Sequence, residues 1–350
     1  MGRSRLQRAI ATAAVLIAAA VIATTQFINP TLPAGAVANP DDPPSGVDLL
    51  YLLGAQPHTL VAYDWSGHRR GSITVPSWVM RQEIHAAPDG GAFVVSAFGL
   101  EDQALYLDRL GHVVLQANDD PAPYRIWSDD SRHLCIYDGS SSIALRLPGE
   151  QDRTVSVAAD SNVVGDVAIE ACSLRGALAV LRARTGVFEA GPPSTSVATV
   201  SLSTGAVVSS RRWATSEAIS SLDAAYVAVT TQSGTEPTTI YRTADLTHEF
   251  GRLDPGVKPL TFSGDDTEML VTVQSDTGQA IEAFDWRANR VTWRYDQRGM
   301  RFGAAIARPN GHEFAVQIVD LNGATQGVVI SRTDGSTARL PYGIPVMVNN

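Results

Sequence analysis

Eight residues stand at comparable points of a recurring pattern and could act on one ligand together: Arg81, Glu83, His85, Arg125, Asp166, Glu217, Lys258 and Arg301. A ring of both charge signs suits a polar small molecule or a peptide, oriented by several ion pairs and hydrogen bonds at once. The plainer reading is a solvated rim whose charges compensate one another. Glu83, Asp166, Glu170 and Glu217 are the carboxylates that could converge on a divalent cation, a chemistry that Arg81 and Arg125 would oppose. Of seven histidines, His85 alone is placed for proton transfer, against the competing reading of a satisfied structural histidine. His68, His112 and His312 sit beside turn residues and are expected to be exposed.

Other familiar chemistry is missing. The sequence holds no serine nucleophile elbow, no His-x-x-x-His pair, no glycine-rich phosphate loop and no Cys-x-x-Cys. The pairs Asp119-Asp120, Asp129-Asp130 and Asp265-Asp266 lack the alternating spacing and glycine of a calcium loop, so they read as solvated turn formers. No catalytic residue, no metal and no cofactor is assigned.

The elements that would position these residues repeat. "AAPDGGAFVVSA" at 86–97 returns as "WSDDSRHLCIYD", "CSLRGALAVLRA", "SSLDAAYVAVTT", "SGDDTEMLVTVQ" and "RPNGHEFAVQIV", with a weaker first copy in "PPSGVDLLYLLG". Aligned on Asp89, the copies fall at Ser45, Asp89, Asp130, Leu174, Asp223, Asp265 and Asn310, spaced 44, 41, 44, 49, 42 and 45 residues apart. About 20 residues further on, each unit carries a strand–turn–strand segment such as "LYLDRLGHVVLQA" with Asp, Gly or Asn at the turn. Four strands per unit cannot bury both faces of one sheet, and radial stacking of seven units does. The expected fold is therefore all-β, a seven-bladed β-propeller over 39–350. The first unit lacks an innermost strand and the segment Ile344 to Val348 is a spare one, so the C-terminal strand should join the N-terminal blade and close the ring.

Two local features follow from the repeat. "RARTGVFEAGPPSTS", Arg182 to Ser196, lengthens the fourth unit and reads as a long loop carrying Phe188, either a contact or a mobile tip. Cys135 and Cys172 fall seven positions apart in repeat register on neighbouring units, about 20 Å of strand, which predicts two buried thiols rather than a bridge.

"MGRSRLQR" followed by "AIATAAVLIAAAVIATTQFI" is a basic n-region before an uncharged apolar run. It reads as a signal peptide or a membrane anchor, a hydrophobic helix preceding the propeller within 1–38. Ala36 and Ala38 offer a cleavage site, but they lie far from the apolar core, which favours retention. Either fate places the body outside the cytoplasm. Three of the 27 basic residues and none of the 36 acidic ones precede residue 39, so the body is more acidic than the chain's net −9. Such a body excludes nucleic acid and anionic lipid surfaces as partners, and leaves a protein partner or a small polar ligand at the channel mouth.

The strand–Pro-Asp-Gly–strand landmark of "AAPDGGAFVVSA" resembles the repeat of TolB-type, WD40-like propellers of bacterial exported proteins, over about 300 residues. Only that copy keeps Pro-Asp-Gly intact. "AFDWRANRVTW", 283–293, is similar to the docking motif of quinoprotein-type propellers at Ala283, Asp285 and Trp293, with Asn289 where Gly is usual. As a solitary copy it implies blade packing rather than a quinone cofactor. The resemblance implies the fold and an exported compartment, and the lack of a nucleophile, metal or phosphate constellation points to a membrane-tethered binding or interaction scaffold. The alternative is a lactonase-type propeller hydrolase with a channel-bound divalent cation.

Overall fold

The computed structural model describes residues 41–346 except 54–57, 76–83, 97–102, 119–124, 164–165, 186–193, 215, 232–234, 276–277 and 342. These residues form seven antiparallel four-stranded sheets and no helix. Blade one holds β1 (Leu49–Leu53), β2 (Thr59–Asp64) and β3 (Arg69–Thr74), and blade two β4 (Ile84–Ala86), β5 (Ala92–Ser96), β6 (Gln103–Asp108) and β7 (Val113–Asn118). Blade three runs through β8 (Arg125–Trp127), β9 (Leu134–Tyr137), β10 (Ser142–Arg146) and β11 (Arg153–Ser156). Blade four is β12 (Asp166–Ser173), β13 (Leu178–Thr185), β14 (Ser194–Ser201) and β15 (Val207–Ala214). Blade five is β16 (Ser216–Ser220), β17 (Tyr226–Thr231), β18 (Thr238–Arg242) and β19 (Asp245–Leu253). Blade six is β20 (Lys258–Phe262), β21 (Met269–Ser275), β22 (Gly278–Asp285) and β23 (Arg290–Asp296). Blade seven is β24 (Met300–Ala307), β25 (Phe314–Asp320), β26 (Thr325–Ser331) and β27 (Thr337–Leu340), and β28 (Ile344–Pro345) returns to blade one.

The expected propeller is thus present, and so is its closure. Leu53 faces Ile344 and Leu52 faces Pro345 in antiparallel register, and the Val346 amide donates to Tyr51 O at 2.9 Å. Burial explains why the units stack. Every residue of β1 is buried, whereas the outer strand β23 buries only Trp293. Alternate residues of an inner strand point to opposite faces, and each face meets a different neighbour. Leu49, Tyr51 and Leu53 pack with Ile84, Phe93 and Val95 of blade two, while Leu50 and Leu52 pack with Ile306, Val328 and Ile330 of blade seven.

The turns are built to one plan. The carboxylates of Asp89, Asp130, Asp223 and Asp265 each accept the amide two residues on, from Gly91, Arg132, Ala225 and Thr267. The residue after the aspartate then takes a left-handed backbone, at Gly90, Ser131, Ala224 and Asp266. Gly264 makes a different demand: a Cβ there would stand 2.1 Å from Arg308 O, because the blade-six turn lies against the blade-seven turn.

The cysteine expectation is corrected. Cys135 and Cys172 form a disulfide between blades three and four, with Cα atoms 6.4 Å apart. The seven positions of repeat register are folded around a turn, not laid along one strand. Cys172 lies opposite Ala179 within its own blade, and Ala179 is the repeat equivalent of Cys135. The two cysteines therefore sit at one height on facing sheets. The expected N-terminal helix lies outside the described residues.

Removing Ile344 to Asn350 is expected to lower the calorimetric melting midpoint by more than about 5 °C, since it strips the inner strand from blade one; an unchanged melt would refute the closure. Replacing both cysteines by serine should lower stability by up to ~4 kcal/mol, the loop-closure value for a separation of 37 residues. Denaturant titration measures it.

Candidate functional site

The axial channel has two mouths, and the sequence pointed to the one where the inner strands begin. There Glu217 of β16 and Lys258 of β20 pair across blades at 3.0 Å, with both side chains about half exposed. Such a pair contributes little, about 0.2–1 kcal/mol. Arg125 opens β8 and is buried, Asp166 opens β12 opposite Arg184, and Arg301 is exposed on β24. Arg81 and Glu83 lie outside the described residues. Glu170 sits at a bulge in β12, where Arg182 Nε donates to its Oε1 at 2.5 Å. Burial raises the Glu170 carboxyl above its usual range against the pull of Arg182 and Arg184. Burial beside Arg182 also lowers Arg184, with Glu170 and Glu217 opposing. Two of the candidate cation ligands, Glu170 and Glu217, are thus engaged by arginine and by lysine. Among the described residues no three His, Cys, Asp or Glu side chains gather as a metal site.

His85 lies in the middle of β4, and burial, then the charge of Arg125, lowers its imidazole to about 4. It is neutral at physiological pH, its Nδ1 is buried without a hydrogen-bond partner, and its carbonyl accepts Trp127 Nε1 from blade three at 3.1 Å. Those features suit a packing role better than proton transfer near neutrality. His68, His112 and His312 are exposed, as expected. Of the expected long loop, Arg182 to Thr185 and Ser194 to Ser196 extend β13 and β14, and Phe188 falls outside the described residues.

The other mouth is formed by the turns that follow the inner strands, and it holds a pocket of about 280 Å³ drawn from blades three to seven. Arg175 of blade four reaches toward Asn310 of blade seven, its Nη1 3.5 Å from the amide oxygen. Asp129 is fully occupied, accepting Ser173 Oγ and the Leu174 amide at 2.8 Å each. Asp223 Oδ1 accepts Ser221 Oγ and the Ala225 amide, also at 2.8 Å each.

Asp266 differs from all of these. It is 6% exposed and its Oδ1 receives no hydrogen bond from the protein. It occupies the left-handed turn position that Gly90, Ser131 and Ala224 fill elsewhere, so the turn itself needs no carboxyl there. Its backbone is pinned, the carbonyl accepting Arg287 Nη1 at 2.7 Å and Trp286 Nε1 at 3.2 Å. Burial pushes the Asp266 carboxyl up to about 9, and a hydrogen bond with Asp223 and the charges of Asp223 and Asp265 push the same way; only Arg287 opposes. Asp266 is therefore not the solvated turn former expected from sequence. It is a neutral acid hydrogen-bonded to a neighbouring carboxylate, an arrangement able to hold a cation or pass a proton.

A raised carboxyl keeps its proton in the fold while the unfolded chain loses it. Stability is full below the ordinary carboxylate range and falls as pH rises through about 9. Asp266→Asn keeps the shape and removes the titration. Its melting midpoint should exceed the parent's by a margin that widens from pH 5 to pH 8.5, by at most ~1.4 kcal/mol per pH unit. A pH-independent difference in calorimetry would sink this account.

No protein-family model matches the sequence, and no curated protein does. Solved structures do match in fold. An oligogalacturonate lyase from Vibrio parahaemolyticus is 10% identical with a TM-score of 0.56, covering 84% of this chain and 84% of that one. Apo AztD from Citrobacter koseri is 9% identical with a TM-score of 0.52, covering 85% and 96%. The dihydro-heme d1 dehydrogenase NirN in complex with DHE is 13% identical with a TM-score of 0.50, covering 89% and 77%. At such identities the likeness is one of fold: the chain is a seven-bladed β-propeller.

Proposed function

We propose that this protein is an extracytoplasmic binding scaffold of the exported, TolB-like kind, tethered through residues 1–38, that engages a protein or a small polar ligand at the turn mouth of its channel. The observation that carries the reading is the pocket shared by five blades, with an acid in it that the turn does not require. Propellers place recognition where loops from many blades converge on the axis. The neighbouring NirN structure, which holds DHE, is in keeping with a small-ligand role. The Cys135–Cys172 bridge supports an oxidising compartment, as does the basic and apolar N-terminal segment.

The test uses the full chain in its native envelope with a photo-crosslinking residue at position 175 and, for comparison, at the exposed outer-strand residue Val291. Adducts resolved by mass spectrometry should form at 175 and not at 291. Thiol trapping before lysis should find Cys135 and Cys172 blocked. Equal labelling at both positions would overturn the mouth assignment, and free thiols would overturn the compartment.

A further inference from the structure

We propose that the turn-mouth pocket is a binding site for a small organic cation bearing a primary ammonium group, held by the Asp223–Asp266 carboxyl pair. The inference rests on the binding-scaffold reading only in taking the turn mouth as the place where a ligand sits. Three features of the pocket select this chemistry.

The first is charge. Three carboxylates, Asp129, Asp223 and Asp265, line the pocket with the neutral acid Asp266 against one guanidinium, Arg175, so the cavity attracts cations and repels anions. The second is an open acceptor. Asp266 Oδ1 is buried, accepts nothing from the protein and belongs to a residue that lines the pocket. A buried acceptor left unmade is costly, and a donor from a ligand removes that cost. An ammonium carries three donors and no acceptor, which suits two carboxyl groups from adjacent turns. The third is the coordination available. A divalent cation takes six or more oxygens, and among the described residues no three His, Cys, Asp or Glu side chains are placed to hold one metal ion. A cavity of about 280 Å³ also has room for a molecule of several heavy atoms.

Binding has a proton balance. The neutral Asp266 carboxyl gives up its proton to solvent when the ammonium arrives, and the ammonium then bridges two carboxylates. The charged groups around Asp266 are Asp265 on its own turn, Asp223 from blade five and Arg287 from the outer hairpin of blade six. Arg175 and Asp129 line the same pocket from blades four and three. Asp223 stays hydrogen-bonded to Ser221 and Ala225 throughout, so the pair keeps its geometry when the proton leaves.

Isothermal titration of the full chain in detergent with 1,4-diaminobutane tests this. Affinity should rise by close to tenfold per pH unit between pH 6 and pH 8, with one proton released per amine, measured by comparing buffers of different ionisation enthalpy. Asp266→Asn and Asp223→Asn should each weaken binding at pH 8 by more than tenfold, while Asp320→Asn at the β25–β26 turn leaves it unchanged. If either acid variant fails to fold, the pH slope of the parent protein decides alone. No binding at 10 mM amine and pH 8.5, a flat pH profile, or calcium binding in place of the amine would each overturn the proposal. Amine binding without crosslinks at position 175 leaves this site standing and sinks the scaffold reading. Crosslinks at 175 without amine binding do the reverse.

Discussion

Every blade of this protein must bury both of its faces, and that single demand organises the molecule. A four-stranded sheet with apolar residues on both sides has no stable existence alone. Seven apolar clusters satisfy the demand among the described residues, one at each seam between neighbouring blades. The same strand serves two seams through its alternating side chains, as Leu49 and Leu50 do on opposite faces of β1. Local interactions then fix how closely the seams meet. Trp127 ties blade three to the His85 carbonyl, Asp129 ties the turns of blades three and four, and Trp293 ties blade six to Thr337 of blade seven. That last contact gives the Trp293 docking motif a packing role.

The repeat made the architecture legible, because turn chemistry and strand alternation are written in neighbouring residues. Long-range geometry was less accessible. For the cysteines, repeat register along the chain is not distance along a strand, because the turn between the two positions folds that distance away. Asp266 was missed for another reason. Its column in the repeat reads Gly46, Gly90, Ser131, Arg175, Ala224 and Gly311 elsewhere, so Asp266 is the one acid in it. The class of turn-forming acid pairs describes Asp265 well and Asp266 badly. Exposure separates them, since Asp265 is at the surface and Asp266 is not.

The two mouths use charge in opposite ways. Where the strands begin, acids meet bases: Glu170 with Arg182, and Glu217 with Lys258. Such pairs keep the rim soluble and leave little field to draw a ligand. Where the strands turn, the aspartates are spent on backbone amides, which satisfies their hydrogen bonds without cancelling their charge. The negative potential at that end is therefore a by-product of turn construction, and the raised Asp266 carboxyl is its response, holding a proton where burial and the neighbouring charges disfavour another anion.

The way the ring is closed has a consequence for how the chain reaches its fold. β1 is among the first strands made, and its partner β28 is the last. Until Ile344 emerges, Leu52 and Leu53 present an open backbone edge, and one seam of the ring stays unsealed. Blades two to six can assemble in order of synthesis from contacts close in sequence, but the final docking joins the two ends of the chain and carries the largest loop-closure cost. Pairing β1 with β28 is thus the contact that spans the most sequence, and until it forms the free edge of β1 is the place where another strand could dock.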